Sequence, residues 1–292
     1  MKILRAKIDN NDKICIYNSN VYDLSLLLNE ETGYIENNFF DLYDKILKLK
    51  LDNDAVIHYN KIQYKIPVPF IRSVRDFYSF EGHVKNARKN KGLSMIGDWY
   101  KFPVFYFSCT PNIYPSGYKI KYPEKSKAFD YEMEIAAVIG KKIINCHGND
   151  CLRSIYGFII MNDWSLRDIQ REEMKMMLGP AKGKDYATSF GRYFVTADEV
   201  FSKMEENRIN LKMETYVNDK LYSSGNLNEI YFGFSDMLER ASEDVTLLPG
   251  DVIGSGTFNS GSILETGREW LKRGDNVIMK SDVLGILENE VV

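Results

Sequence analysis

Histidine, cysteine and proline are scarce in this chain of 292 residues, at three, four and eight. The cysteines, Cys15, Cys109, Cys146 and Cys151, form no C-x-x-C pair. Cys146-His147 and Asp150-Cys151 bring soft and hard ligands together, but no second cluster completes a zinc knuckle. Reduced, structural cysteines are the expectation for a cytoplasmic chain. Long hydrophobic runs are missing too: Ile135 to Gly140 is typical of the longest, far short of a membrane span. The opening Met1-Lys2-Ile3-Leu4-Arg5-Ala6-Lys7 turns polar at once, unlike a signal peptide. A soluble cytoplasmic protein is expected. Nor is there an excess of charge of one sign. The net charge is −3 and the pI about 5.8, so nothing invites nucleic acid or a membrane surface. No internal repeat or low-complexity segment is visible.

What is present is a hydrophobic content of 44%, enough for one large β-rich domain with a small appendage, or for two domains. Alternation in Lys2–Ile8 and Lys13–Tyr17 around Asp9-Asn10-Asn11-Asp12 predicts a hairpin. Residues 36–51 carry apolar groups at helical spacing and predict one amphipathic helix. Tyr64 to Pro69 holds two prolines and reads as a linker. The chain is therefore expected to divide into a small β-rich N-terminal domain, 1–65, and a larger domain, 66–292. In the latter, Pro103–Ser108, Ile135–Gly140, Ile155–Met161, and Leu211–Tyr222 with its central turn read as strands. Phe234–Ala241 reads as a packing helix, and Leu248 to Ile253 as a turn into a strand.

Carboxylates supply the candidate chemistry. Asp130, Glu132 and Glu134 alternate, so on a strand they share a face. That pattern fits a solvated acidic edge, or a cluster whose repulsion a cation offsets. Asp76, Ser79, Phe80 and His83 fall at i, i+3, i+4 and i+7 if a helix reaches back that far; a capping or surface histidine is the plainer alternative. After Met161 the period switches towards helix, with Asp163 placed as an N-cap and Asp163, Arg167 and Gln170 on one face. They read as a site or as a surface ion pair. Lys184 sits in a loop, solvated or placed to stabilise negative charge. Gly254-Ser255-Gly256-Thr257 is no phosphate loop, but its glycines could bring N–H groups close to an anion. Glu265 adds another carboxylate.

In order, Asp76…His83, Glu132-x-Glu134, Asp163…Arg167…Gln170, Lys184 and Gly-Ser-Gly-Thr257…Glu265 resemble the fumarylacetoacetate hydrolase family over roughly residues 66 to 284. The most specific stretch is Met161-Asn162-Asp163-Trp164-Ser165-Leu166-Arg167-Asp168-Ile169-Gln170, followed by Leu178-Gly179-Pro180 and Gly183-Lys184. Asp76-Phe77-Tyr78-Ser79…His83 is similar to the fumarylacetoacetases in particular. The resemblance implies an α+β, mainly β fold: a rolled mixed β-sandwich preceded by the small N-terminal domain. It implies metal ligands Asp76, Glu132, Glu134 and Asp163, whose hard oxygens suit Mg²⁺ or Ca²⁺, with Mn²⁺ as a further option. It implies His83 as general base oriented by Glu265, with Lys184, Arg167 and Gln170 stabilising developing charge. Tyr78, Tyr106 and Thr257 match substrate-contacting positions. The implied reaction is hydrolytic C–C cleavage of a small-molecule β-diketo acid, fumarylacetoacetate or an acylpyruvate, in a homodimer. Decarboxylation, hydration or isomerisation of a 2-keto acid uses the same scaffold. A non-catalytic metal-binding or assembly protein is the reading from another class. Three departures bear on the substrate. Met174 stands in place of a substrate-contacting tyrosine, the segment up to Leu178 is one residue longer, and the Thr257–Ser262 loop is shorter.

Overall fold

The structure is a computed structural model that describes every residue except Lys91 and Asn207. Alternating apolar residues drive Lys2–Ile8 and Asn11–Asn18 into the expected hairpin, and Asn20–Asp23 adds a third strand. Lys2–Ile8 then pairs with Phe194–Thr196, so the first strands extend a mixed sheet of thirteen. Its main path runs from Asn20–Asp23 through Phe194–Thr196, Ile155–Leu166, Met133–Ile139, Asp251–Gly254 and Ser73–Phe77 to Phe105–Ser108. The pairing of Asp251–Gly254 with Ser73–Phe77 is parallel; its neighbours are antiparallel. A second, five-stranded sheet holds Lys212–Val217, Lys220–Asn226, Asn276–Ser281, Gly285–Val291 and Lys119–Ile120.

Met133–Ile139 is buried at every position, Glu134 included, which is why Ile135–Ile139 reads as a continuous apolar run. Ile135, Ala137 and Ile139 face a core shared with Met213, Val277 and Leu287 of the second sheet. Ala136 and Val138 face the opposite way, against Phe39, Tyr43 and Ile46 of the N-terminal segment. The proline-bearing stretch after Tyr64 is strapped rather than slack: Arg5 Nη1 donates to Ile66 O at 2.9 Å and to Val68 O at 3.2 Å. Among the described residues, no helix is long and apolar enough to cross a membrane.

Three expectations are corrected. The single helix over 36–51 is two short ones, Thr32–Asn37 and Tyr43–Leu47. Phe39 and Phe40 between them turn into the core, and that burial outweighs helical continuity. Cys146 and Cys151 are not reduced: they form a disulfide with Cα atoms 5.2 Å apart. Positive φ at Asn145 and Gly148 folds the loop back, and the short Asn149–Leu152 helix delivers Cys151 to its partner. Finally, the Ile155 strand does not stop at Met161 but runs on to Leu166.

Candidate active site

That longer strand changes how the site is built. Asp163 lies within it, paired with Thr188, and is not a helix N-cap. The helix begins at Arg167 and runs to Met174. Likewise Asp76 lies within a strand, Ser73–Phe77, and the helix carrying His83 starts only at Glu81. Asp76, Glu134 and Asp163 therefore come from three strands of one sheet. Each shares a face with its neighbours two residues away, Val74, Ala136 and Met161, which pack in the core on that side. Gly254 lies between the Asp76 and Ala136 strands, and a Cβ there would sit 2.5 Å from Asp76 Oδ1. A side chain there would press on Asp76, so the glycine leaves room for that carboxylate.

One oxygen from each of Asp76, Glu134 and Asp163 lies within 4.8 Å of the others, and all three residues are buried. Asp76 Oδ1, Glu134 Oε2 and Asp163 Oδ1 have no hydrogen-bond partner. Their other oxygens are held: the Tyr106 hydroxyl lies between Asp76 Oδ2, at 2.8 Å, and Asp163 Oδ2, its one proton shared by the two, and Thr257 donates to Glu134 Oε1 at 3.2 Å. Burial, then the neighbouring carboxylates, pushes Glu134 well above the usual carboxylate range. Burial likewise raises Asp76. Asp163 is pushed up to about 7, by burial and by Asp76 and Glu132 against the opposing pull of Lys184. Three buried carboxylates that converge, each with an unpartnered oxygen, fit a hard divalent cation.

Glu132 is beside this group but engaged differently. Arg167 Nη2 donates to its Oε1 at 2.7 Å and Lys184 Nζ to its Oε2. Burial alone would raise Glu132; Arg167 and Lys184 overcome it and hold the carboxyl far below the ordinary range. Lys184 is buried rather than solvated, and its Nζ also reaches Asp163 Oδ2 and Ser165 Oγ, both at 2.6 Å. Arg167 donates from Nε to Asp130 at 2.7 Å and from Nη1 to Gln170 Oε1 at 3.1 Å. Asp130 is thus a fully buried partner of Arg167, and it also accepts the N–H groups of Ile263 and Leu264.

His83 is buried, with Nδ1 2.7 Å from Glu265 Oε2 and its N–H off the line to that oxygen. Such contacts often align only when substrate arrives. Burial works to raise Glu265, but the charge of His83 and hydrogen bonds from Ser260 N and Ser262 Oγ prevail and hold it below the usual range. Asn259 Oδ1 accepts the backbone N–H of His83 at 3.1 Å, a contact with no signal in the sequence pattern. Tyr78 lies edge-on to the imidazole at 5.4 Å. Ser165, also unanticipated, alternates with Asp163 and would have been found by reading 162–166 as strand. Met174 lies at the exposed end of the Arg167 helix.

Raised carboxyls set a direction for pH. Above the ordinary carboxylate value and up to about pH 7, the folded protein holds protons that the unfolded chain has released. With chelator present, the melting temperature is expected to fall as pH rises from about 5 to about 8. Protons compete with metal for the same oxygens. Added Mg²⁺ should therefore raise the melting temperature more at the upper end. Scanning fluorimetry with and without Mg²⁺ checks both; a metal-free stability that rises across this window would contradict the assignment.

A mixed-sheet scaffold with an all-oxygen carboxylate cluster, a His–Glu pair and a buried Arg and Lys defines a class: proteins whose buried carboxylates could hold a hard divalent cation. The chain belongs to the fumarylacetoacetate hydrolase family, matching the family model "Fumarylacetoacetate (FAA) hydrolase C-terminal" over residues 72–292. It is 32% identical over 194 residues to a mitochondrial oxaloacetate tautomerase of Homo sapiens, covering 66% of this chain and 60% of that protein. The match thus spans less than two thirds of that relative's length. In fold it is similar to a fumarylacetoacetate hydrolase from psychrophilic Exiguobacterium antarcticum, with TM-score 0.78, 21% identity, and coverage of 100% of this chain and 99% of that one. It is also similar to a fumarylpyruvate hydrolase from Pseudomonas aeruginosa in complex with Mn²⁺ and pyruvate, with TM-score 0.63, 21% identity, and coverage of 81% and 94%.

Proposed function

We propose that this protein is a metal-dependent hydrolase that cleaves a C–C bond in a β-diketo acid of the acylpyruvate type. The observation that carries the reading is the buried His83–Glu265 pair beside the carboxylate cluster. A base with an orienting carboxylate is what activation of water requires. Asp76, Glu134 and Asp163 would hold the cation, and Glu132 would join them as fourth donor through an oxygen that it shares with Arg167 or Lys184. Mg²⁺, Ca²⁺ and Mn²⁺ all suit these oxygens. When bound, the cation would supply Lewis acidity to the oxygens of the enolised substrate.

The chain's own groups do the rest. Nδ1 of His83 faces Glu265, which leaves Nε2 to take a proton from water. The water oxygen adds to the acyl carbonyl carbon. The C–C bond then breaks, and its electron pair leaves as the enolate of the 2-oxo acid, which takes up a proton. Arg167 and Lys184, with Gln170, stabilise the negative charge that develops. Tyr78, Tyr106 and Thr257 contact the substrate.

A second reading is favoured by the 32% identity to an oxaloacetate tautomerase. On it, the same groups move one proton between the keto and enol forms of a 2-oxo acid and no bond to carbon breaks except C–H. Incubation with Mg²⁺ and a panel of acylpyruvates and oxaloacetate separates the two. Hydrolysis releases pyruvate and a carboxylic acid in equal amounts. Loss of enol absorbance with no such products, on oxaloacetate, would replace the first reading by the second.

A further inference from the structure

Glu173 enters none of the roles above, yet its carboxylate accepts three backbone N–H groups from the loop that follows its helix. Lys182 N donates to Oε1 at 2.6 Å; Ala181 N and Gly183 N donate to Oε2 at 3.2 and 2.9 Å. Successive amides make a concavity that suits an anion, and here the chain's own carboxylate fills it. Between clasp and helix the loop is held by backbone bonds such as Met176 N to Glu173 O at 2.9 Å rather than by packing: Met176, Met177 and Leu178 are exposed. At its far end it lies flat on the helix. A Cβ on Gly183 would fall 2.8 Å from the backbone of Gln170, and Gly183 O accepts Leu166 N at 2.9 Å.

Lys184 is the next residue. Its N–H donates to Ala181 O at 3.1 Å, so its backbone continues the clasped turn. Its side chain then crosses to Glu132, Asp163 and Ser165. Four rotatable bonds separate the ammonium from the backbone, and each has freedom to lose. The ammonium reaches those partners only while its backbone is held.

We infer that Glu173 is the positioning residue for Lys184: its carboxylate, by clasping residues 181–183, sets where the lysine side chain starts and so where the ammonium ends. The catalytic consequence rests on the role given to Lys184 under Proposed function; the positional one does not.

Glu173→Ala and Glu173→Gln, compared with wild type, test this. Acetylation of Lys184 by an amine-reactive anhydride, in protein without added metal, is followed by peptide mass spectrometry. It should be about tenfold faster in Glu173→Ala, as expected when charge-assisted hydrogen bonds to a local segment are lost. In Glu173→Gln, which keeps one acceptor oxygen, it should be less accelerated. On an acylpyruvate, kcat should fall about tenfold in Glu173→Ala with KM within about twofold. The double variant with Lys184→Ala should be no slower than Lys184→Ala alone. Unchanged labelling, or a fully additive loss in the double variant, overturns the inference. If no diketo acid is turned over at all, the proposed function fails while the labelling still decides the positioning role.

Discussion

His83→Ala is expected to lower kcat on an acylpyruvate by about 10²–10⁴, the range a general base contributes. Mg²⁺ affinity should stay close to that of the wild type. The split follows from geometry. His83 contacts Glu265 and Asn259, whereas the carboxylate cluster is held by Tyr106 and Thr257. Removing the imidazole takes away the acceptor for the proton of water without touching an oxygen of the cluster. Kinetics with Mg²⁺ saturating, together with calorimetry of Mg²⁺ binding, check the two halves. Wild-type turnover would remove His83 from the mechanism. A large loss of Mg²⁺ affinity would instead place it at the metal.

Glu134→Gln is expected to abolish Mg²⁺ binding and, at the same time, to raise the melting temperature of the metal-free protein. Both effects have one origin. Glu134 is buried among Asp76, Glu132 and Asp163, and its charged form is disfavoured by burial and by those neighbours. A neutral amide of the same shape relieves the repulsion, whereas a carboxylate is worth its cost only when a cation is present. An affinity loss of at least about 100-fold is expected, in line with the removal of one of a few hard ligands. Calorimetry gives the affinity, and melting in chelator gives the stability. Unchanged Mg²⁺ affinity would sink the assignment of Glu134, and a metal-free variant less stable than wild type would show that repulsion does not dominate there.

Local pattern carried a good part of the fold. The N-terminal hairpin, Met133–Ile139, Lys212–Val217 with Lys220–Asn226, and the Phe234–Ser242 helix all follow from periodicity and turn residues. The local reading failed where a tertiary contact overrode it. Residues 162–166 have polar groups that read as a helix start, yet they pair with residues 187–189 on one side and with Met133, Asp130 and Phe129 on the other. That pairing supplies backbone hydrogen bonds that an isolated helix end lacks. Asp163 was consequently recognisable as a candidate, but its place as a strand residue facing Asp76 was not.

Asp130 shows the same limit. Alternation placed it on a face with Glu132 and Glu134, where paired and solvated states were equally open. Its three partners, the Arg167 guanidinium and the amides of Ile263 and Leu264, lie 37, 133 and 134 residues away along the chain. Charge and spacing within a segment cannot encode such contacts.

By itself, the sequence determined which groups are available: hard carboxylates in alternation, one histidine with an acid to pair it, and a motif order resembling a known family. Those are properties of residue type and local period. Only the tertiary structure decided which carboxylates share a point and which are already neutralised. Asp76, Glu134 and Asp163 converge because their strands belong to one sheet and Gly254, on the strand between those of Glu134 and Asp76, leaves space, while Glu132 faces Arg167 and Lys184. The physical reason is that the energy of a buried charge depends on what surrounds it within a few ångströms, and those neighbours are brought in from distant parts of the chain by folding.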